Sequence, residues 1–96
     1  MEHKRAVGEA ILRVRLQKGL AQEGVGASQT YISDVERGLK SPSLEKISKI
    51  SAALDVHPTS IVVLSYLLEN PRTSLDELLK KVRCEVEAAL GANQLL

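Results

Sequence analysis

Hydrophobic positions recur at helical spacing along most of the chain. Val7, Ala10, Ile11 and Val14 share one face of a segment over residues 4–18, which Gly19 ends. Leu12 and Leu16 fall on a different face, so this helix is expected to meet something besides the main core. A second stripe, Leu44, Ile47, Ile50 and Leu54, follows the loop "GLKSPS", where Ser43 suits the N-cap position. The turn "DVHP" leads to a short apolar helix over 60–69, capped by Thr59 or Ser60. "NPR" breaks the chain again. Ser74-Leu75-Asp76-Glu77 then has the form of a capping box. Leu75, Leu78, Leu79, Val82, Val86, Ala89 and Leu90 form one continuous stripe, which Gly91 is expected to close. "ANQLL" reads as a frayed end. With no strand-like alternation, repeat or low-complexity tract, the fold class is all-α.

Composition narrows the packing. A chain of 96 residues with 44% hydrophobic content reads as one compact domain, small enough that oligomerisation is expected from the start. Phe and Trp are absent and Tyr31 and Tyr66 are the two aromatic rings, so the core must be aliphatic. The single cysteine, Cys84, excludes an internal disulfide or a cysteine-built zinc site. It falls opposite the leucine stripe of the last helix, where exposure is expected and redox sensing lacks an electropositive setting beyond Arg83. "MEHKRAVGEAILRVRLQ" is charged and helix-periodic, unlike a signal peptide, and "IVVLSYLL" is too short to span a bilayer. The expectation is a cytoplasmic protein without a membrane partner.

The net charge of +1 conceals an asymmetry. Residues 1–49 carry nine Lys/Arg against six Asp/Glu, whereas residues 50–96 carry four against six. A cationic first half suits a polyanion, and an acidic second half suits a protein contact, although many solvated surfaces drift in this way.

The candidate chemistry lies in "LAQEGVGASQTYISDVERG", Leu20 to Gly38. On a helix at about 100° per residue, Gln29, Ser33, Arg37 and Thr30 fall at roughly 0, 40, 80 and 100°. Ile32, Val35 and Tyr31 lie between about 200 and 300°. One face thus offers short or amide side chains and a cation, and the other is apolar. Gln pairs bidentately with adenine, and Ser and Thr bond several base edges in a major groove that admits one helix. An ordinary amphipathic surface helix shares this polarity, but such a face more often carries several Lys and Glu.

"LRVRLQKGLAQE" followed by "SQTYISDVERGLKSPSLEKISKISAALDV" resembles the phage-repressor and Cro type (xenobiotic-response-element type) helix-turn-helix family over residues 5–68. "YISDVERG" and "SPSLEKI" at their spacing are its most specific segments. The resemblance implies a five-helix repressor-like DNA-binding domain over residues 1–70, to which residues 71–96 add a C-terminal amphipathic helix. It implies that Gln22 opens the second helix, contacts phosphate and braces a base-reading side chain. Ser28, Gln29 and Thr30 would begin the recognition helix, with Tyr31 among the DNA-contacting residues and Ser33 one turn on. Arg37 and Lys40 would meet phosphate. Arg15 and Glu36 would form a structural ion pair. The sequence departs from the family between "QE" and "SQTYIS", where it is about one helical turn shorter. There Val25 is expected to supply the buried residue and Gly26 a turn or a close approach, leaving a second helix of about one and a half turns.

Other chemistries fare worse. Ser33, Asp34 and His57 are the raw material of a triad, but no strained nucleophile turn accompanies them, and His3 and His57 are isolated. An enzyme, a cofactor and a metal site are therefore not expected, nor is a separate effector-binding or protease domain. Leu75, Leu78, Leu79, Val82, Val86 and Leu90 either cover the core, against Leu12 and Leu16, or join two copies. Dimerisation is favoured because members of the family commonly bind near-palindromic operators as two-fold dimers. The expected function is a sequence-specific regulator that binds double-stranded DNA as a homodimer. The alternatives are a protein-interaction module of antitoxin type with an unidentified protein partner, and a restriction–modification controller.

Overall fold

The computed structural model describes residues 1–94, with side chains as far as residue 91. Five helices follow one another: α1 (His3–Gln17), α2 (Gln29–Glu36), α3 (Leu44–Leu54), α4 (Pro58–Glu69) and α5 (Leu75–Gln94). No strand is present among the described residues. The all-α class is the one the periodicity indicates.

Local chemistry sets the helix ends. Ser28 and Ser43 cap α2 and α3, their Oγ atoms accepting from the N–H groups of Tyr31 at 3.2 Å and Lys46 at 3.1 Å. Ser74 accepts from the N–H of Glu77 at 3.1 Å at the start of α5. At α4 the cap is neither Thr59 nor Ser60 but His57, whose Nδ1 accepts from the N–H of Thr59 at 3.0 Å. Pro58 then occupies the first turn, where its fixed φ suits the helix and its missing N–H leaves no bond unmade. Gly91 does not close α5. The helix continues to Gln94, and Leu95 and Leu96 of the expected frayed end lie outside the described residues.

The core is aliphatic. Val7, Ala10 and Ile11 from α1 meet Ile32 and Val35 from α2, Ile47, Ile50 and Leu54 from α3, and Ile61 from α4. Each Ile or Leu fully removed from water there contributes roughly 1.5–3 kcal/mol. Leu44, expected in the α3 stripe, is 75% exposed instead, at the first residue of the helix and at the edge of a cavity shared with α1 and α4. The two fully interior hydroxyls are satisfied within their own helices: Ser51 Oγ donates to the Ile47 carbonyl and Ser65 Oγ to the Val62 carbonyl, both at 2.7 Å.

The largest departure from expectation falls between α1 and α2. Residues 20–28 contain no helix. Gly24 and Gly26 both have positive φ, at 80° and 85°, which interrupts any nascent turn before it can propagate. The repressor-like body therefore comprises four helices and a turn in place of five helices, with α5 as the additional one. The turn nevertheless delivers Val25 to the core, where it is 1% exposed. A Cβ on Gly26 would lie 2.6 Å from the Lys49 carbonyl oxygen, so the turn rests on the backbone of α3. Gly8 does the same for α1, since a Cβ there would strike the Val35 carbonyl. The first contact sets the turn against α3, and the second sets α2 against α1.

α5 leaves Leu16 uncovered. Leu16 stays 60% exposed, and Leu75 and Leu79 face α4 across an open apolar groove.

Candidate nucleic-acid interface

α2 buries Ile32 and Val35 completely and turns its other side outward. Gln29, Thr30 and Arg37 are exposed and Ser33 is half-buried. Together with Gln22 and Asp34 they line a shallow polar concavity of about 220 Å³. Of the residues singled out in the sequence, Gln22, Gln29, Thr30, Ser33 and Arg37 are thus brought to one place. Ser28 stands beside them at the helix start, its oxygen engaged as the cap but its hydroxyl proton free to donate.

A buried polar network holds this face from behind. Arg15 Nε and Nη2 donate to the two Glu36 oxygens at 2.7 and 2.9 Å, a bidentate pair whose side chains are 10% and 5% exposed. Arg15 Nη1 donates to the Leu20 carbonyl at 2.8 Å, and Gln22 Nε2 donates to Glu36 Oε1 at 2.9 Å. The hydrogen bonds that Arg15 donates to Glu36 raise its pKa above the ordinary value, against the opposing effect of burial. The guanidinium thus clamps the end of α1, the start of the turn and the end of α2 together. Gln22 opens no helix here. Its amide is instead held by Glu36, at the edge of the polar concavity.

Lys40 and Tyr31 lie at the opposite end of the face. The Lys40 ammonium sits 5.7 Å from the Tyr31 ring centroid, and that of Lys46, from the first turn of α3, sits 5.2 Å away. Both distances suit a cation–π contact. Tyr31 itself is half-buried against the core. Asp34 accepts from Arg37 Nη2 at 3.0 Å and lies 3.4 Å from Lys40 Nζ. Its hydrogen bond from Arg37, aided by Lys40, holds its carboxyl below the usual carboxylate range. In the sequence Asp34 stands out only as triad material, and Lys46 not at all. The i, i+3 spacing of Asp34 and Arg37 on one helix was the available signal for the first. The approach of Lys46 depends on where the loop carries α3.

The sequence profile described as "Helix-turn-helix" matches residues 11–61, more than half of the chain. The chain belongs to the helix-turn-helix family of the Cro/C1 type. Members of this family are DNA-binding transcriptional regulators. An HTH-type transcriptional regulator of Sinorhizobium fredii, y4dJ, is 36% identical over 66 residues, covering 65% of this chain and 86% of that protein. The control protein C.BamHI of Bacillus amyloliquefaciens is 40% identical over 60 residues, covering 57% of this chain and 74% of that protein. Among solved structures, the restriction-modification controller protein C.AhdI of Aeromonas hydrophila superposes with a TM-score of 0.58 at 34% identity, covering 60% of this chain and 94% of its own. In this helix-turn-helix chain the matched residues run from α1 through the turn of residues 20–28, α2 and α3 into α4.

Proposed function

We propose that the protein is a sequence-specific transcriptional regulator that binds double-stranded DNA as a homodimer on a near-palindromic operator. The observation that carries this reading is the composition of the outward face of α2. Gln29, Thr30 and Ser33 project beside Arg37, with no large apolar side chain among them and a packed core behind. Gln29 and Ser33 would read base edges, with Thr30 beside them and Gln22 bracing Gln29 while Glu36 holds its amide. Arg37, Lys40 and the Ser28 hydroxyl would meet phosphate, and Tyr31 would support the lysines. Residues 1–70 would form the DNA-binding unit and residues 71–96 the dimerisation element. No single helix among the described residues is long and apolar enough to cross a membrane, which fits an expected cytoplasmic site of action.

Control of a restriction–modification system is the more specific role to which two similarities point, because C.BamHI and C.AhdI are named as control or controller proteins. The test of the general reading is selection from a random duplex pool with the full chain. Enrichment of a two-fold symmetric sequence supports the regulator. A pool that stays random while the protein captures another protein favours the interaction module instead.

A further inference from the structure

Five apolar side chains of α5 stand out in water: Leu75, Leu79, Val82, Val86 and Leu90 are each 39–57% exposed. The first four alternate spacings of four and three residues, and Ala89 continues the series. That is the repeat of a two-stranded coiled coil, in which each residue inserts between residues of a facing helix. Asp76 and Arg83 flank this seam on one side, seven residues apart, and Leu78 and Glu85 flank it on the other.

These flanking charges distinguish the possible pairings with a second copy. In parallel alignment neither Asp76 nor Arg83 meets an opposite charge. In antiparallel alignment three registers interleave Leu75, Leu79, Val82 and Val86 with their counterparts. Setting Leu79 against the partner's Leu75 puts Asp76 beside the partner's Asp76. Setting Val82 against the partner's Val86 brings Arg83 to the partner's Arg83 and Glu85 to the partner's Glu85. Setting Leu79 against the partner's Val82 pairs Leu75 with the partner's Val86. It also places Asp76 beside the partner's Arg83, twice by symmetry, and creates no like-charge pair.

We infer that α5 pairs antiparallel with α5 of a second copy, in the register that sets Asp76 against the partner's Arg83. The inference rests on the reading that the chain dimerises through residues 71–96, and adds its direction and register. Two symmetric exposed ion pairs contribute modestly, so they select the alignment, and the apolar seam supplies the attraction.

Charge exchange in the full chain tests it, with dimer dissociation followed by sedimentation at low salt. Arg83→Asp turns two attractions into two repulsions and weakens the dimer about tenfold, as does Asp76→Arg. The combined exchange restores affinity to within about threefold, as pairs of this strength require. A dimer that tightens on Arg83→Asp, or ignores it, overturns the register while leaving dimerisation through α5 intact. A full chain that sediments as a monomer at tens of micromolar overturns the dimerisation reading itself.

Discussion

Arg15 and Glu36, twenty-one residues apart in the chain, meet in a bidentate pair at 2.7 and 2.9 Å that is almost closed to water. The pair does more than join two helices. Glu36 also holds Gln22, and Arg15 also holds the Leu20 carbonyl, so the turn that replaces a helix is fastened at its entrance by the same two side chains. A turn with two positive-φ glycines has little intrinsic order, and this network supplies it.

Removing Glu36 would leave a buried guanidinium short of its partner, a loss of about 3 kcal/mol for a pair this enclosed. Glu36→Ala should therefore melt well below the parent in calorimetry. The Arg15→Ala, Glu36→Ala cycle should show a coupling of about 1 kcal/mol or more. An additive double variant would mean that the two side chains act independently.

Gly26→Ala should destabilise by about 1–3 kcal/mol, because the position combines positive φ with a Cβ placed 2.6 Å from the Lys49 carbonyl oxygen. Gly24 shares the positive φ but has open space around it, so Gly24→Ala should cost less. Urea denaturation of both variants measures the difference. Equal losses would show that the approach of the turn to α3 contributes nothing.

Arg37 and Lys40 both lean on Asp34, so phosphate must compete with that carboxylate for them. Arg37→Ala or Lys40→Ala should weaken binding to every duplex and flatten the slope of log affinity against log salt by about one unit each. Asp34→Asn should strengthen binding to random DNA several-fold at low salt and steepen that slope. Because the folded-state pKa of Asp34 is depressed, its contacts are complete at neutral pH and are lost as pH falls through the carboxylate range and below. Random-duplex titrations at two salt concentrations suffice to check both directions.

Deleting the chain after Pro71 removes the exposed seam of α5 while leaving the core of α1 to α4 intact. The shortened protein should sediment as a monomer. It should bind a two-half-site operator more weakly by several orders of magnitude, since the second contact loses its effective concentration. A truncated protein that remains a dimer would place the subunit contact elsewhere.

Features governed by local periodicity were legible in the sequence. The wheel that separates Gln29, Thr30, Ser33 and Arg37 from Ile32 and Val35 is a property of one regular helix, and α2 is regular. Ser43 reads as a cap because a serine before an apolar run has one favoured use. Leu44 misleads because the wheel assigns it a face but cannot show how far the core extends along α3. His57 escapes notice because histidine is an uncommon cap, although Pro58 beside it marks the helix start. The path of residues 20–28 follows from backbone conformations at Gly24 and Gly26 that side-chain patterning does not encode. The positions of Gln22 and Lys46 inherit that dependence on tertiary context. Glu36 reaches Arg15 across a similar span, and there the resemblance to a known family implied a contact that periodicity alone could not.

The central claim is that the outward face of α2 reads bases. It is tested most directly by the affinity of Gln29→Ala and Ser33→Ala for the selected operator and for random DNA, measured side by side at one salt concentration. Each variant should lose roughly 1–3 kcal/mol on the operator and almost nothing on random duplex. Equal losses on the two DNAs, or no loss on either, would contradict it.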